Sequence, residues 1–418
     1  MATFAFIHPS TDMLQEIQEI NIDEYTYELP PDRVARFPLD RREDARLLVL
    51  DGGEPRESRF RDAPALLRAG DTLVFNDTRV IHARLSFRRA TGSRVELFCL
   101  EPASPAGHAR NLAATGTCDW YCLVGNARRW KGETLACRPA AGGGTWTLRA
   151  TRVERRGETS LVRFAWDAPL TFGEVLEAAG EIPIPPYLAR EAVEEDRERY
   201  QTVYSRHDGS VAAPTAGLHF SDELLRRAGA TGATLQSLTL HVGAGTFKPV
   251  KAARIGDHQM HAERVSIPRS LVDRLLSAPP GDTIAVGTTT TRSLESLYWT
   301  GVKLLLGLPA FDDIGQWEAY SLPGDFPARE ALEAVARHLD ATGEMTLETR
   351  SALAIVPGYT FRVVSGLFTN FHQPRSTLLL LVAAAVGEQW RQLYARALAD
   401  GFRFLSYGDG CFLRVTGR

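Results

Sequence analysis

The sequence predicts an α/β body that is interrupted by a β-rich segment. Short runs of β-branched and aromatic residues recur between positions 71 and 166, among them TLVFN, RVELFCL and SLVRFAW, with Gly-rich turns between them. This pattern is typical of a small sandwich or barrel. After position 166 the pattern changes to alternating strands and helices, which favours an α/β arrangement.

The elements of the α/β part follow in chain order. Phe172–Ala179 has a helical pattern, and the prolines at 183, 185 and 186 then impose an extended break. Ser221 precedes two acidic residues and begins the next helix. Strands are predicted over 235–242 and 283–287, a helix over 293–299, and a further helix that Pro327 opens.

Length and composition exclude several classes of protein. The chain has 418 residues, 48 Lys and Arg against 51 Asp and Glu, and 44% hydrophobic residues, so it is neither disordered nor strongly basic. The longest apolar run, 378–386, is too short to cross a bilayer and indicates a buried helix. The first residues show no basic region followed by an apolar one. We therefore expect a soluble cytoplasmic protein without membrane association.

The five cysteines argue against a disulfide framework, because their number is odd and small for this length. Cys118 and Cys122 have C-x3-C spacing, but no second Cys or His pair follows at the spacing of a zinc site. Packing inside strands is the favoured interpretation.

The net charge of −3 is unevenly distributed. Positions 71–166 carry 15 Lys and Arg against 8 Asp and Glu, a net charge of +7, whereas the rest carries −10. A basic block on an acidic body indicates a module that faces a polyanion. Only four lysines occur in the chain, so a general bias toward arginine is the competing explanation. Between 299 and 350 the net charge is −5, which we interpret as an acidic surface elaboration.

Four histidines lie in polar or glycine-rich surroundings near predicted strand ends: His219, His241, His261 and His372. Active sites of α/β proteins gather at such ends, although a single histidine is more often structural.

Other chemistries are less well supported. His258, His261 and Glu263 are close in sequence, but they match no metal-binding motif, and no G-x-S-x-G motif of a serine hydrolase occurs. HVGAGTFK lacks the third glycine of a dinucleotide fingerprint. The GTTTTR segment that begins at Gly287 joins a strand to a helix, and its free N–H groups suit either a carboxylate or an ordinary helix start.

Taken together, ten ordered blocks resemble the S-adenosylmethionine:tRNA ribosyltransferase-isomerase family of queuosine biosynthesis. They extend from position 25 to 411 and include YELPPDRVARFPLDRREDARLL, GDTLVFNDTRVIHARL, EIPIPPYL, DRERYQTVY, GSVAAPTAGLHF, LTLHVGAGTFKPV, HQMHAERV, AVGTTTTRSLES, PGYTFRVVSGLFTNFHQPRSTLLLL and FLSYGD.

The resemblance implies an α/β catalytic domain with an inserted small all-β barrel domain. We assign residues 1–70 and 167–418 to the discontinuous catalytic domain, 299–352 to an acidic insertion within it, and 71–166 to the basic barrel.

The activity that the resemblance implies is specific. The ribosyl group of S-adenosylmethionine is transferred to 7-aminomethyl-7-deazaguanine at the wobble position of tRNA and isomerised to an epoxycyclopentanediol. Epoxyqueuosine forms, and adenine and methionine leave. No prosthetic group and no metal is implied, S-adenosylmethionine is a co-substrate, and we expect a monomer.

The resemblance and the polar contexts together give candidate residues. The catalytic candidates, with acid and base unassigned, are His219, His241, His261, Glu263, His372 and Asp409. The substrate-binding candidates are Arg41, Arg42, Asn76, Asp77, Arg79, Thr215, Gly217, Gly243, Gly245, Thr246, Thr288, Thr289, Arg292, Asn370 and Tyr407. For Asn76 and Asp77 a turn, and for Arg41 and Arg42 a solvated face, is the competing interpretation.

The chain departs from the family pattern mainly between 295 and 357, where typical members have a much shorter connection. An acidic segment close to tRNA would repel phosphates, so it either faces away from the RNA or contacts a partner. The alternative function is that of an RNA-binding relative of the same fold, either without this activity or with a changed substrate. A generic methyltransferase is disfavoured, because no Rossmann glycine loop is evident.

Overall fold

The computed structural model describes residues 11–139, 145–243, 250–277, 283–309 and 313–417. Its strands, in chain order, are β1 (Arg46–Leu50), β2 (Arg56–Arg59), β3 (Thr72–Asn76), β4 (Thr78–Val80), β5 (Arg84–Arg88), β6 (Arg94–Ser104), β7 (Thr117–Gly125), β8 (Leu135–Cys137), β9 (Leu148–Arg156), β10 (Thr159–Trp166), β11 (Gly180–Glu181), β12 (His207–Ser210), β13 (Thr234–Leu240), β14 (Glu263–Pro268), β15 (Thr283–Val286), β16 (Thr346–Ser351), β17 (Gly366–Asn370) and β18 (Gly410–Arg414).

The helices of the same part of the chain are α1 (Thr11–Gln18), α2 (His108–Leu112), α3 (Phe172–Ala179), α4 (Asp196–Arg199), α5 (Asp222–Ala230), α6 (Arg269–Ser277), α7 (Thr288–Leu305), α8 (Ala328–Thr342), α9 (Thr377–Val386) and α10 (Gln389–Ala399). The predicted helix Phe172–Ala179 is confirmed with the same bounds. Thr171 and Glu174 form a reciprocal capping box that fixes its start. Within the described residues, no helix is both long and apolar enough to cross a membrane.

In the described part of the chain, a mixed sheet of nine strands in the order β16-β14-β13-β3-β15-β17-β18-β1-β2 forms the larger unit. The four central strands β13, β3, β15 and β17 run parallel to one another. Every residue of β3, β15 and β17 is buried, which explains the nearly continuous apolar sequence of strands such as β3 and β15. Parallel strands place their carboxyl ends at one common edge.

The smaller sheet closes on itself. Strands β5, β6, β7, β10, β9 and β8 pair in that antiparallel order, and β8 returns to β5 through the pair Arg88 and Ala136. Inward-facing residues such as Phe87, Trp120 and Phe164 are fully buried and fill the barrel. The predicted fold class, an α/β body with an inserted small all-β barrel, is therefore confirmed.

One strand run lies outside the barrel, contrary to the sequence interpretation. Thr72–Asn76, the TLVFN run, lies in the centre of the large sheet between β13 and β15. All five residues are buried, whereas barrel strands such as Arg84–Arg88 alternate between buried and less buried positions. The absence of alternation is therefore the signal that separates the two kinds of strand. The domain boundaries at 71 and 166 stay predictions.

The segment predicted as an acidic insertion is packed into the body. Helix α8 lies against α7 so closely that a Cβ added at Gly301 would be 2.2 Å from the backbone oxygen of Ala331. Strand β16 pairs with β14 at the edge of the large sheet. The interpretation as a surface elaboration therefore applies only to the solvent-facing side of the segment. The apolar side of α8 packs into the core of the body.

Candidate functional site

A cavity of about 500 Å³ lies where three parallel strands of the large sheet end. Val242 follows β13, Gly287 follows β15, and Asn370 ends β17, and all three residues line the cavity. The carboxyl ends of parallel strands are the usual place for a ligand in this kind of sheet, and the volume falls in the range of small-molecule sites.

Two helices begin at the cavity wall. Helix α7 starts at Thr288, directly after Gly287, which has a φ of +91° and no side chain. Among the residues that the structure describes, no side chain caps the first N–H groups of this helix. Helix α9 starts at Thr377, and the hydroxyl of Ser376 accepts a hydrogen bond from the Leu379 N–H at 3.2 Å. Because helix N-termini carry partial positive charge, this wall suits a carboxylate.

A buried ion pair forms part of the same wall. Arg292, one turn into α7, donates a hydrogen bond to one carboxylate oxygen of Glu263, and the Gly243 N–H donates to the other oxygen at 3.0 Å. The side chains of Arg292 and Glu263 are only 13% and 8% exposed. The carboxylate is therefore held in a fixed orientation by one partner from helix α7 and one from the loop after β13.

His372 lies in the turn after β17 and also lines the cavity. Its Nε2 is 2.8 Å from the Thr369 hydroxyl, and its backbone N–H donates to the Tyr394 hydroxyl at 3.0 Å. Burial lowers the pKa of His372 to about 3, so the imidazole is neutral at ordinary pH.

Asn370 connects the cavity to a second predicted histidine. Its Oδ1 accepts a hydrogen bond from the Thr215 hydroxyl at 2.9 Å, and its Nδ2 is 3.1 Å from Nε2 of His219. His219 itself is buried behind the wall and stacks on Phe60, with ring centroids 4.2 Å apart. Burial, reinforced by Arg403 and Arg42, lowers the pKa of His219 to about 3.

Eight predicted site residues line the cavity. They are Thr215, His261, Glu263, Thr288, Thr289, Arg292, Asn370 and His372. Gly243 adjoins it through its hydrogen bond to Glu263. Gly245 and Thr246 lie outside the described residues.

The remaining candidates lie outside this lining: His219, His241, Asp409, Arg41, Arg42, Asn76, Asp77, Arg79, Gly217 and Tyr407. Asp409 accepts hydrogen bonds from the backbone N–H groups of Arg46 and Arg403 at 2.9 and 2.8 Å, which anchors the start of β18. Tyr407 donates to Asp196 at 2.8 Å. These contacts fix loops behind the cavity.

His241 lies at the junction between the barrel and the body. Its Nδ1 is 2.8 Å from the Thr78 hydroxyl, and its ring is 4.4 Å from that of His108, which belongs to the short helix α2. Burial lowers the pKa of His241 to about 3 and that of His108 to about 4. A separate groove at this junction contains His241.

Asn76 and Asp77 connect β3 to its neighbour. The amide of Asn76 bonds both the N–H and the C=O of Leu240 at 3.0 Å, and Asp77 accepts hydrogen bonds from the hydroxyls of Ser237 and Thr239 at 2.8 and 2.6 Å. Both side chains are buried, and they stabilise the pairing of β3 with β13 at the carboxyl end of β3.

The predicted arginines differ in environment. Arg42 donates to the backbone oxygens of Gln201 and Glu198 at 2.6 and 3.0 Å, so it holds a loop in place. Arg41 is 68% exposed, and Arg79 is half exposed and 3.9 Å from the Asp208 carboxylate. Gly217 is buried beneath Tyr204.

Several cavity residues were missed by the sequence analysis. His258, Lys251, Tyr187 and Ser376 line the cavity, and so does Glu158 from the hairpin between β9 and β10 of the barrel. Lys251 carried a usable signal, because it is one of only four lysines in an arginine-rich chain. Across the described residues, no group of three or more His, Cys, Asp or Glu side chains could hold a metal ion. The absence of a metal stays an expectation.

Comparison with known proteins gives consistent matches. The sequence profile of the family described as "Queuosine biosynthesis protein" matches residues 22–413. A protein of Geobacter metallireducens named S-adenosylmethionine:tRNA ribosyltransferase-isomerase is 40% identical over 406 residues, covering 94% of this chain and 100% of the relative. Proteins of the same name are 38% identical in Dechloromonas aromatica, covering 96% of this chain and 98% of the relative, and in Thermus thermophilus, covering 94% and 99%.

A solved structure was also matched. The S-adenosylmethionine tRNA ribosyltransferase of Thermotoga maritima is 25% identical with a TM-score of 0.43, covering 93% of this chain and 99% of that one.

Proposed function

The chain belongs to the queuosine biosynthesis protein family, and from this membership we propose that it acts as an S-adenosylmethionine:tRNA ribosyltransferase-isomerase. It is an enzyme that transfers the ribosyl group of S-adenosylmethionine to tRNA and isomerises it. The acceptor is 7-aminomethyl-7-deazaguanine at the wobble position, the product is epoxyqueuosine, and adenine and methionine are released.

The cavity at the ends of β13, β15 and β17 is the observation that carries this proposal for the site. It combines a volume of about 500 Å³ with two helix N-termini, a buried arginine and several apolar residues such as Val242 and Phe371. S-adenosylmethionine needs partners of both kinds, because its methionine end is charged and its adenine ring is flat and largely apolar.

The residues of the wall suit distinct parts of the co-substrate. The N–H groups at Thr288 and Thr289 and the guanidinium of Arg292 are the cationic or donor groups that the methionine carboxylate requires. Gly243, Thr215 and Asn370 supply further polar contacts for the ribose. The acidic side chain of Glu263 lies beside the same helix end.

The chemistry requires one group to remove a proton from the 5′ carbon beside the sulfonium and another to protonate the departing adenine. His261, Glu263 and His372 are the candidates that line the cavity. The low pKa of His372 makes it a neutral hydrogen-bond partner or base and argues against a role as a charged acid. His219, His241 and Asp409 act on the site through other residues in this proposal.

The wider proposal includes tRNA and S-adenosylmethionine as binding partners, a monomeric protein in the cytoplasm, and turnover without a metal. The basic barrel is the surface that approaches the RNA, because Glu158 of its β9–β10 hairpin reaches the cavity lining.

One assay tests the function. Purified protein is mixed with S-adenosylmethionine and with tRNA that carries the aminomethyl-deazaguanine, and adenine is quantified by chromatography. We expect release that requires the modified tRNA and persists with a chelator. The same tRNA with unmodified guanine is the control. Adenine release that does not depend on the modification would show a protein with a changed substrate. Binding of tRNA with no adenine release would show a non-catalytic RNA-binding protein.

A further inference from the structure

Phe37 is an exposed aromatic ring on an otherwise well-packed protein. Among the phenylalanine, tyrosine and tryptophan side chains that the structure describes, it alone is exposed, with 53% of its surface accessible. It lies in the RFPLDRR loop, between the short 3-10 turns Pro31–Arg33 and Arg42–Asp44. Single exposed apolar side chains are common on protein surfaces, so the exposure of Phe37 carries meaning only together with the contacts that hold its ring.

A fixed cation supports one side of this ring. The guanidinium of Arg190 lies 4.3 Å from the ring centroid of Phe37. Arg190 also donates to the backbone oxygen of Arg36 at 2.8 Å and to both carboxylate oxygens of Asp196 at 2.6 and 2.8 Å. The side chains of Arg190 and Asp196 are 11% and 2% exposed, so the support is rigid. The ring is therefore held in a defined orientation before any ligand arrives.

The support of Phe37 is continuous with the cavity wall. Asp196 accepts a further hydrogen bond from Tyr407, and the preceding residue Ser406 lines the cavity. Ser406 is also 2.5 Å from the hydroxyl of Tyr187, which lines the cavity three residues before Arg190. The exposed ring and the site thus share one hydrogen-bonded assembly.

We propose that the exposed face of Phe37 stacks on a nucleobase of the substrate RNA next to the reacting nucleotide. The proposal rests on the function proposed above, because it names a contact for that RNA. A rigid aromatic face backed by a guanidinium is the kind of surface on which unpaired bases stack. Arg36 directly precedes the ring in sequence and is exposed, so a cation is available to the phosphates of a stacked nucleotide.

Four variants separate stacking from other roles: Phe37→Ala, Phe37→Leu, Phe37→Trp and, as a control, Met345→Ala, whose side chain is 74% exposed. The dissociation constant of fluorescently labelled tRNA is measured by anisotropy at several salt concentrations without S-adenosylmethionine. Phe37→Ala should weaken binding about 5- to 150-fold, the range expected for one base–aromatic stack, and Phe37→Leu by nearly as much. Phe37→Trp and Met345→Ala should bind within about twofold of the original protein.

The salt dependence identifies the cause. Stacking involves no phosphate, so the slope of log affinity against log salt should be unchanged in Phe37→Ala. A shallower slope, or full binding by Phe37→Leu, would overturn the proposal. So would unchanged binding by Phe37→Ala, or a change in its sedimentation that showed the ring to contact a second copy of the chain.

The binding assay is independent of turnover. If adenine release fails in the unaltered protein while RNA binding still depends on an aromatic ring at position 37, the proposed function is wrong and the stacking contact stands. If adenine release is normal and RNA binding does not depend on the residue at position 37, the stacking contact is wrong and the proposed function stands. Thermal melting of each variant confirms the fold, which an exposed position should leave intact.

Discussion

Arg292 and Glu263 form an ion pair that is almost completely removed from water at the wall of the cavity, with side chains 13% and 8% exposed. The pair joins the first turn of α7 to the start of β14. The direction of the carboxylate is fixed, since its second oxygen is held by the Gly243 N–H. A buried pair of this kind costs much desolvation, so its presence at a ligand cavity favours a functional reason.

Removing one partner of this pair should affect both stability and turnover. Arg292→Ala leaves the Glu263 carboxylate buried without its cation, and the free energy of unfolding should fall by about 3–5 kcal/mol. The rate of adenine release should fall about 100-fold or more, the scale for losing a preorganised charged group. Denaturant unfolding and single-turnover kinetics measure the two effects.

A matched control is the exposed pair of Arg226 and Glu223 on α5, whose side chains are 70% and 56% exposed. Arg226→Ala should change stability by less than about 1 kcal/mol and leave turnover unchanged. The double variant Arg292→Met with Glu263→Gln should recover stability without recovering activity. If it recovered activity as well, the pair would have only a structural role.

The buried histidines should make stability depend on pH. Burial lowers the pKa values of His219, His241 and His372 to about 3, below the ordinary value of 6.5. Between those values the unfolded chain binds protons that the folded protein does not. The free energy of unfolding should therefore fall as the pH drops below about 6.5, by up to about 1.4 kcal/mol per pH unit for each histidine.

Urea unfolding between pH 7.5 and 5.5 measures this slope above the titration range of ordinary carboxylates. His372→Gln should reduce the slope near pH 5.5 by about one proton's worth and leave the slope near pH 7.5 almost unchanged, whatever its effect on stability at pH 7.5. His207→Gln is the control, because that side chain is 62% exposed and gains no burial on folding comparable to that of His372. Equal slopes in the original protein and His372→Gln would show that His372 titrates alike in the folded and unfolded states.

The fold was largely predictable, because hydrophobic periodicity and helix caps are local features. The bounds of Phe172–Ala179 follow from its pattern and cap, and the strand of 283–286 from its apolar run. The membership of Thr72–Asn76 was not predictable from strand runs alone. Its partners β13 and β15 are about 160 and 210 positions away, so only the tertiary pairing assigns it to the large sheet.

The site was predictable in part. Residues that directly follow parallel strands, such as Thr288 and His372, line the cavity as strand topology requires. His219 has an equally polar sequence context, yet it packs on Phe60 behind the wall. Sequence shows which residue types are near a strand end, but the direction of each side chain depends on packing between distant segments.

The unpaired arginines of the barrel should contribute to RNA affinity. In the described structure, Arg128, Arg129 and Arg155 are exposed and form no ion pair. Replacing all three by glutamate should weaken tRNA binding and reduce the salt slope by about 2–3, if each contacts one phosphate. Filter binding at salt concentrations from about 50 to about 300 mM measures the slope of log affinity against log salt.

The matched control replaces three exposed arginines on helices of the body, Arg226, Arg329 and Arg391, each of which is already paired with a nearby glutamate. This variant has the same change in net charge. If both triple variants lose affinity equally, the overall charge matters and the barrel has no special role.

Gly217 provides a test of packing against substrate contact, because the sequence placed it among the binding residues. A Cβ at this position would lie 1.9 Å from the Tyr204 hydroxyl and 2.9 Å from Cγ2 of Thr202, both too close. Gly217→Ala should therefore lower the free energy of unfolding by about 1–3 kcal/mol, the usual cost of overpacking.

Tyr204→Phe removes the nearest atom, so the double variant should be more stable than Gly217→Ala alone. Its Michaelis constants for S-adenosylmethionine and tRNA should match those of Tyr204→Phe, since the cavity lining does not include Gly217. A raised Michaelis constant in a stably folded double variant would instead show that Gly217 contacts substrate directly.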